Sequence, residues 1–230
     1  MTADTLSVVA LSDTHGMHEK MRRPVPDGDV LVHAGDFCGH GSIDEVVAFA
    51  RWMGAFPHRH KLAVPGNHDR PVEESPHDCR ALFAGEGIRL LLGETVEIEG
   101  FRFFGSPYTP TFLNWHFMRD RGEAIRAEWE AIPNRADVVI THGPAYGHGD
   151  LCPPWRGEPP RHVGCFELLA RLRVVRPAFH VFGHIHEGYG VTISDEIPGT
   201  TFLNASICTE AYRPENAPRG FTLRRGEADA

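Results

Sequence analysis

Five short polar motifs in this chain each begin where an apolar run ends. The runs SVVALS and VLVHA lead to Asp13 and Gly35, and KLAVP leads to Gly66. DVVIT leads to His142, and FHVF leads to Gly183. Short runs rich in β-branched residues predict buried strands. Ligand sites of α/β folds gather beyond the carboxyl ends of strands, so we expect the five motifs to share one cleft.

Further apolar runs and helical periodicity complete the predicted elements. The predicted strands are Leu6–Leu11, Val30–Ala34, Lys61–Val64, Ile88–Leu92, Thr95–Ile98, Phe101–Phe104, Val138–Thr141, Phe179–Phe182, Val191–Ser194, Thr201–Asn204 and Phe221–Leu223. The predicted helices are Ile43–Phe56, Pro71–Phe83, Gly122–Ala131 and Cys165–Val174. Ser42 and Glu45 have the spacing of a capping box at the start of the first helix. Strand–helix alternation followed by a run of strands predicts an α/β fold with a mixed sheet or two stacked sheets.

The segment Gly143–Gly164 is rich in Pro, Gly and His. It is too long for an idle connection in a compact domain. Loops of this length are usually functional or flexible, so we expect one of these two roles here.

Bulk properties narrow the class of protein. With 230 residues the chain predicts a single domain over residues 1–230. A net charge of -8 argues against a stable nucleic-acid complex, because no basic surplus neutralises phosphates. The chain lacks an apolar stretch long enough for a membrane span, and the N-terminal apolar run is read as a strand, not as a signal peptide. Five widely spaced cysteines predict neither a disulfide framework nor a thiolate site, which favours the cytoplasm.

The motifs together supply two Asp, one Asn and four His side chains. Nitrogen and oxygen donors without thiolate suit Mn, Fe, Zn or Ni, and Mn is the preferred expectation. Seven ligands exceed what one ion needs, so we expect two divalent transition-metal ions. Asp36 is the natural bridge, because a carboxylate has two oxygens. The seven candidate ligands are Asp13, His15, Asp36, Asn67, His142, His184 and His186.

In this order, D-x-H, G-D, G-N-H-D, H-G and G-H-x-H resemble the calcineurin-like metallophosphoesterase superfamily over residues 6–186. The resemblance implies a four-layer α-β-β-α sandwich with two mixed β-sheets flanked by helices. It gives His68 the role of a phosphate-contacting residue and general acid, oriented by Asp69. It assigns the ligands to two ions: Asp13, His15, Asp36 and His186 to one, and Asp36, Asn67, His142 and His184 to the other.

Other stretches resemble one subgroup of small phosphodiesterases more closely. They are GFRFFGSPYTP, THGP, RHVGC-x-ELL, VFGHIHEGYG and the NAS of Asn204–Ser206. This subgroup includes metallophosphoesterase-domain-containing proteins of animal brain, which act on cyclic nucleotides and model phosphodiesters. Some members carry Gly at the position of His184. This chain keeps the histidine, so the resemblance implies a full pair of ions.

We therefore predict a dinuclear-metal-dependent phosphodiesterase that hydrolyses small phosphodiesters by metal-hydroxide attack, with cyclic nucleotides as candidates. Asn67 and His68 would stabilise charge on the phosphoryl oxygens, and His68 would protonate the leaving group. A phosphomonoesterase of small substrates is the alternative within the same chemistry. A non-catalytic metal-binding module is the alternative from another class.

Substrate contacts are less defined by the sequence. No Arg follows Gly35-Asp36 where monoester-cleaving relatives carry one, and His40 is the candidate replacement, so diesters are expected to be preferred. Arg70 and Arg161 are the alternatives for a phosphate clamp. Trp115 and Phe117 are predicted either to stack a base or to pack in the core. Five loop histidines are candidates for the rim of the cleft: His18, His40, His116, His148 and His162.

Overall fold

Two β-sheets lie face to face in this protein, and helices cover the outer face of each. The computed structural model describes residues 4–154 and 159–225. The strands are β1 (Thr5–Leu11), β2 (Val30–Ala34), β3 (His60–Val64), β4 (Arg89–Leu90), β5 (Glu94–Ile98), β6 (Phe101–Ser106), β7 (Thr109–Pro110), β8 (Met118–Arg119), β9 (Val138–Thr141), β10 (Leu151–Cys152), β11 (Arg161–His162), β12 (Phe179–Phe182), β13 (Gly190–Ile193), β14 (Thr201–Asn204) and β15 (Arg219–Arg224). The α-helices are α1 (Ile43–Gly54), α2 (Arg70–Glu74), α3 (Pro76–Gly85), α4 (Glu123–Glu130) and α5 (Phe166–Val175).

Both large sheets are mixed, as predicted. The first has the strand order β15-β1-β2-β3-β4, in which β15 alone is antiparallel to its neighbour. The second has the order β13-β14-β12-β9-β6-β5, with a parallel centre and an antiparallel strand at each edge. Parallel strands end at the same edge of a sheet. The loops that follow β1, β2 and β3 therefore lie together, and so do those that follow β9 and β12.

Alternation along the strands builds the layers. Val8 of β1 and Ile140 of β9 belong to the apolar layer between the two sheets. Val9 packs in a second apolar layer with residues of α1 and α3. Val139 packs in a third layer with Trp129 of α4 and residues of α5. These three apolar layers hold the four-layer α-β-β-α sandwich together, and the predicted fold class is confirmed.

The first predicted helix has the start that its sequence indicates. Ser42 accepts a hydrogen bond from the Glu45 amide at 3.3 Å, and the Glu45 carboxylate accepts one from the Ser42 amide at 3.0 Å. This capping box satisfies two amides that the helix itself leaves unpaired.

The helix predicted over Pro71–Phe83 is two helices, α2 and α3. Ser75 between them has φ -139° and ψ 63°, which is not helical. The residue before a proline is disfavoured in the helical region, and Pro76 follows directly. The single-helix prediction was therefore wrong at this position.

Short elements also fill segments without a predicted structure. β7 pairs with β8, and within Gly143–Gly164 the strand β10 pairs with β11. Residues 155–158 of this segment lie outside the described residues, so the prediction of a functional or flexible loop stays a prediction for them. In the described parts of the chain, no helix is long and apolar enough to cross a membrane. The single-domain prediction stays a prediction.

Candidate active site

The seven predicted ligands converge at the edge where the two sheets meet. The loops after β1, β2 and β3 supply four of them, and the loops after β9 and β12 supply three. Seven residues spread over most of the chain thus meet in one cluster: Asp13, His15, Asp36, Asn67, His142, His184 and His186.

The first group of donors contains Asp13, His15 and His186, whose donor atoms lie within 4.8 Å of one another. His186 Nε2 is 3.4 Å from Asp13 Oδ1 and 3.2 Å from His15 Nε2. Ser206 Oγ donates to the other carboxylate oxygen of Asp13 at 2.8 Å, so Oδ1 faces the two imidazoles. This group joins the end of β1 to the turn after β12.

The second group contains Asp36, His142 and His184, again within 4.8 Å. His142 Nε2 lies 3.3 Å from Asp36 Oδ2 and 3.0 Å from Asn67 Oδ1. The rings of His142 and His184 approach with centroids 4.9 Å apart. Asp36 Oδ2 also lies 4.0 Å from His15 Nε2, so this carboxylate stands between the two groups.

Backbone carbonyls set the tautomers of two imidazoles. His142 Nδ1 donates to the carbonyl of Ala34 at 3.0 Å, and His186 Nδ1 donates to that of Thr209 at 3.0 Å. A neutral ring that donates from Nδ1 keeps a lone pair on Nε2, which is the arrangement of metal-binding histidines. The donor set therefore fits transition-metal ions.

The electrostatics of the cluster favour a cation. Burial opposes ionisation of Asp36, but the nearby His142 and His15 outweigh burial and lower the pKa of this carboxyl. Burial likewise opposes a charged His142, yet Asp36 raises the pKa of His142 to about 9. A field that holds a proton on His142 also attracts a divalent ion to the same place.

Four of the seven predicted ligands have a left-handed backbone. Asp13 (φ 52°), His15 (φ 44°), Asp36 (φ 57°) and His184 (φ 67°) all adopt positive φ. Such conformations cost about 1–3 kcal/mol each and persist where surrounding structure enforces them, often at functional sites. In these four residues the unusual backbone directs the side chains of separate loops toward one point, and five other non-Gly residues of the described chain also have positive φ.

Two glycines of the motifs lie against ligand side chains. A Cβ atom on Gly183 would overlap the Asp13 carboxylate, and one on Gly66 would overlap the Asp36 carboxylate and the His142 ring. Glycine is required at both positions, because side-chain atoms of the predicted ligands occupy the space that a Cβ would need.

Asp69 is buried beside the cluster, but its partners differ from the predicted one. Its carboxylate accepts from the amides of Gly66 at 2.7 Å, Cys38 at 2.8 Å and Asp36 at 2.9 Å. His68 Nδ1 instead donates to the carbonyl of Gly39 at 3.0 Å. The prediction that Asp69 orients the His68 ring is therefore wrong. Asp69 holds the backbone of two ligand loops together, because its side chain turns back into the protein.

His68 lies over the cluster. Its Nε2 is 4.0 Å from Asp36 Oδ2, and its ring stacks on Trp115 with centroids 4.5 Å apart and an interplanar angle of 30°. His68, His15 and Asp36 form a further group of donors within 4.8 Å. Phe117, the other aromatic candidate, is buried in the layer under α1, so the packing alternative is confirmed for it.

A cavity of about 700 Å³ opens over the cluster. Ligands and His68 form one side, and Trp115, Arg121, Arg161 and Phe166 belong to the rest of the lining. His40 is exposed and is outside the set of described residues that line the cavity. The His40 amide donates to Glu45 at 3.1 Å, and the contact between His40 and substrate stays a prediction.

The five loop histidines of the prediction have different environments in the structure. His18 and His148 are buried against aromatic rings, and His116 pairs with Glu73 at 2.9 Å outside the cavity. His162 alone among the five candidates lines the cavity. Tyr212, whose ring lies 5.0 Å from those of His15 and His186, was not predicted. Tyr212 lies far along the chain from the five metal-site motifs, so no local sequence pattern indicated it.

The fold and the clustered Asp and His side chains define a metal-dependent phosphoric ester hydrolase. The sequence profile of the Calcineurin-like phosphoesterase family matches residues 6–188. The chain therefore belongs to the calcineurin-like phosphoesterase family.

Several relatives are similar in sequence to nearly the whole chain. Metallophosphoesterase domain-containing protein 1 of Homo sapiens and that of Mus musculus are each 38% identical over 91% of this chain and 68% of their own length. The UPF0046 protein C25E10.12 of Caenorhabditis elegans is 35% identical over 94% of this chain and 80% of its own. The protein TT1561 of Thermus thermophilus has a TM-score of 0.58 at 14% identity, over 87% of this chain and 88% of that one, and supports the fold alone.

Proposed function

We propose that this protein is a dinuclear-metal-dependent phosphodiesterase that hydrolyses small phosphodiesters. The observation that carries the proposal is the arrangement of seven nitrogen and oxygen donors as two groups joined by Asp36, with five of the seven residues in the lining of one cavity. A single ion does not need seven ligands, whereas two ions with a shared carboxylate do.

Each ion would be held by one group. Asp13, His15 and His186 would hold the first, and His142, His184 and Asn67 the second, with Asp36 between them. When bound, two divalent ions neutralise charge on the phosphoryl oxygens and make a water molecule a stronger nucleophile. Mn is our first choice among the metals that suit this donor set, followed by Fe, Zn and Ni.

The chain's own contribution to bond cleavage is a proton from His68. His68 Nδ1 carries a proton, which it donates to the Gly39 carbonyl. Release of a second proton from Nε2 therefore requires a ring that is protonated on both nitrogens. The Trp115 ring fixes the His68 plane, so the departing alkoxide would meet a donor of defined direction. Asn67 would place its amide beside a phosphoryl oxygen.

The charges of the cavity support a diester preference. A monoester carries close to two negative charges near neutral pH and usually requires an Arg fork. The Arg121 guanidinium donates to the carbonyls of Val163 and Gly164, so two of its five N–H donors are used inside the protein. Arg161 also lines the cavity, which is the observation that favours a small-molecule phosphomonoesterase as the second candidate.

The aromatic side chains of the cavity support substrates with a flat or apolar group. Phe112, Trp115, Phe166 and Tyr212 are exposed by 41%, 40%, 53% and 53%, and all four line the cavity. Exposed aromatic clusters commonly mark binding sites. Nucleoside phosphodiesters, including cyclic nucleotides, present such a group.

The test is turnover of two nitrophenyl substrates. Metal-free protein is prepared with chelator and checked by elemental analysis, and Mn, Fe, Zn, Ni, Mg or Ca is then added. We expect no turnover without metal, and a higher kcat/KM for bis(4-nitrophenyl) phosphate than for 4-nitrophenyl phosphate with Mn. Preference for the monoester would favour the second candidate, and no turnover of either would favour a non-catalytic metal-binding module.

The proposal also covers partners and location. The net charge of -8 supports the absence of a stable nucleic-acid complex. All five cysteines are unpaired, which supports a reducing compartment such as the cytoplasm.

A further inference from the structure

Hydrogen bonds fix the position of the segment Gly143–Gly164 near β11, the second of its two short strands. Arg121 donates to the carbonyl of Val163 at 2.6 Å and to that of Gly164 at 2.8 Å. The amide of Val163 donates to the carbonyl of Asp150 at 3.0 Å. His162, which directly precedes these anchored residues, therefore has a defined position.

A buried carboxylate orients His162. Asp150 Oδ2 accepts from the amides of Gly147 at 3.0 Å and Gly164 at 2.9 Å. Asp150 Oδ1 accepts from His162 Nδ1 at 2.6 Å. The Asp150 side chain is 0% exposed, whereas the His162 side chain is 44% exposed and lines the cavity. The pair therefore has its carboxylate inside the protein and its imidazole at the substrate space.

This pairing decides which ring nitrogen is available. An ionised carboxylate can only accept, so His162 carries its proton on Nδ1 and a neutral ring keeps a lone pair on Nε2. Nε2 is thus an oriented hydrogen-bond acceptor at the exposed side of the ring. The proposed mechanism does not use it.

We propose that His162 is a specificity-determining residue, whose Nε2 accepts a hydrogen bond from a hydroxyl or N–H on the ester group that is not cleaved. The inference rests on the proposed function, because it requires a phosphodiester in the cavity. Phe166, whose ring stacks at 3.7 Å on Tyr146 beside His162, gives that ester group an apolar neighbour. The substrate class is then a phosphodiester with a hydrogen-bond donor on its retained alcohol.

The chain contains a matched control in His116. His116 Nδ1 also pairs with a carboxylate, that of Glu73 at 2.9 Å, and its side chain is 31% exposed. His116 is not among the described residues that line the cavity. Replacement of His162 or of His116 removes one carboxylate–imidazole pair, but only the replacement of His162 alters the cavity.

The experiment compares two diesters with the same leaving group. The 4-nitrophenyl ester of thymidine 5′-phosphate carries donors on its retained group, and 4-nitrophenyl phenyl phosphate carries none. The readout is the ratio of kcat/KM for the two diesters in Mn-loaded wild type, His162→Ala, His162→Phe and His116→Ala. We expect this ratio to fall about tenfold in both His162 variants, the usual scale of one hydrogen bond, and to stay at the wild-type value in His116→Ala.

An unchanged ratio in the His162 variants would overturn the inference, and so would an equal loss on both diesters. The proposed function fails separately, when wild type hydrolyses neither diester. Binding of thymidine 5′-phosphate and of phenyl phosphate, measured by calorimetry on the same Mn-loaded proteins, then decides the role of His162. There too a selective loss for the thymidine compound supports the inference, and no selective loss contradicts it.

Discussion

The cavity has two sides that differ in construction. We call the seven predicted ligands and His68 the ligand wall, and Phe112, Trp115, Arg161, His162 and Phe166 the loop wall. Residues of the ligand wall follow central strands, lie largely buried, and in four cases have positive φ. Residues of the loop wall belong to connections, to the short strand β11 and to the start of α5, and they are largely exposed. The rigid sheets thus position the groups for the reaction, and the connections provide the surface that a substrate touches.

If this division holds, changes in the ligand wall affect every phosphoester alike, and changes in the loop wall alter the choice between substrates.

Asp36→Asn is expected to have the largest effect, because Asp36 stands between both groups of donors. We expect loss of bound metal and a fall in kcat of about 10⁴-fold or more, the scale of several kcal/mol that metal ions contribute. Elemental analysis and turnover of bis(4-nitrophenyl) phosphate measure both. Asp78→Asn, at a side chain that is 85% exposed, is the control. Full metal content in Asp36→Asn would contradict the shared role.

His68→Ala should differ in kind from a ligand change. We expect retained metal and a fall in kcat of about 10²–10⁴-fold on alkyl diesters, the usual worth of a general acid. The loss should shrink for nitrophenyl diesters, whose leaving group needs no proton. His77→Ala, at a side chain that is 96% exposed, is the control. Metal loss in His68→Ala would move His68 into the ligand set, as its donor distances to His15 and Asp36 permit.

Gly183→Ala tests the ligand wall without removal of a ligand. The added Cβ displaces the Asp13 carboxylate, and misplacement of a ligand typically costs about 10–100-fold in metal affinity. Metal titration followed by calorimetry measures this change. Gly85→Ala is matched, since a Cβ on Gly85 would meet no atom within 4 Å. Equal metal affinity in the two variants would show that Asp13 is not a ligand.

Trp115→Ala should have the smallest effect and should be selective. Loss of the ring removes contact area from the loop wall and the support of the His68 ring, and it leaves the predicted metal ligands in place. Nitrophenyl diesters are used because their leaving group needs no proton from His68. One aromatic contact is worth about 0.5–1.5 kcal/mol, so KM for an aromatic diester should rise about two- to tenfold. KM for methyl 4-nitrophenyl phosphate, a diester without an aromatic retained group, should change less. Phe56→Ala, at a half-buried ring outside the cavity, is the control, and an equal change for both substrates would contradict the assigned role of the loop wall.

The same division explains what the sequence predicts well. Ligand-wall residues follow apolar strands at fixed short spacings, so Asp13 with His15 and His184 with His186 are visible as local patterns. The loop wall depends on packing between distant segments. His40 was predicted to contact substrate because it follows the Gly35-Asp36 motif, but it is not among the described residues that line the cavity. Arg121 and Tyr212 reach the cavity from segments without a local pattern.

The partner of Asp69 shows a second limit. The family resemblance implied that Asp69 orients the ring of the neighbouring His68. The structure shows four backbone amides that donate to this carboxylate instead. Sequence order places a side chain near a site, but the direction of the side chain depends on φ and ψ of each residue in the loop.

The origin of the ligands from both sheets has a thermodynamic consequence. If the proposed ions bind, they would join the loops after β1, β2 and β3 to those after β9 and β12, and so would act as cross-links between the two halves of the sandwich. Ligands that bind only the folded state stabilise it by mass action, by about 2.7 kcal/mol at a free concentration one hundred times Kd. The unfolding temperature of this protein should then rise with the logarithm of the free metal concentration, so its stability in a cell would follow the supply of its metal.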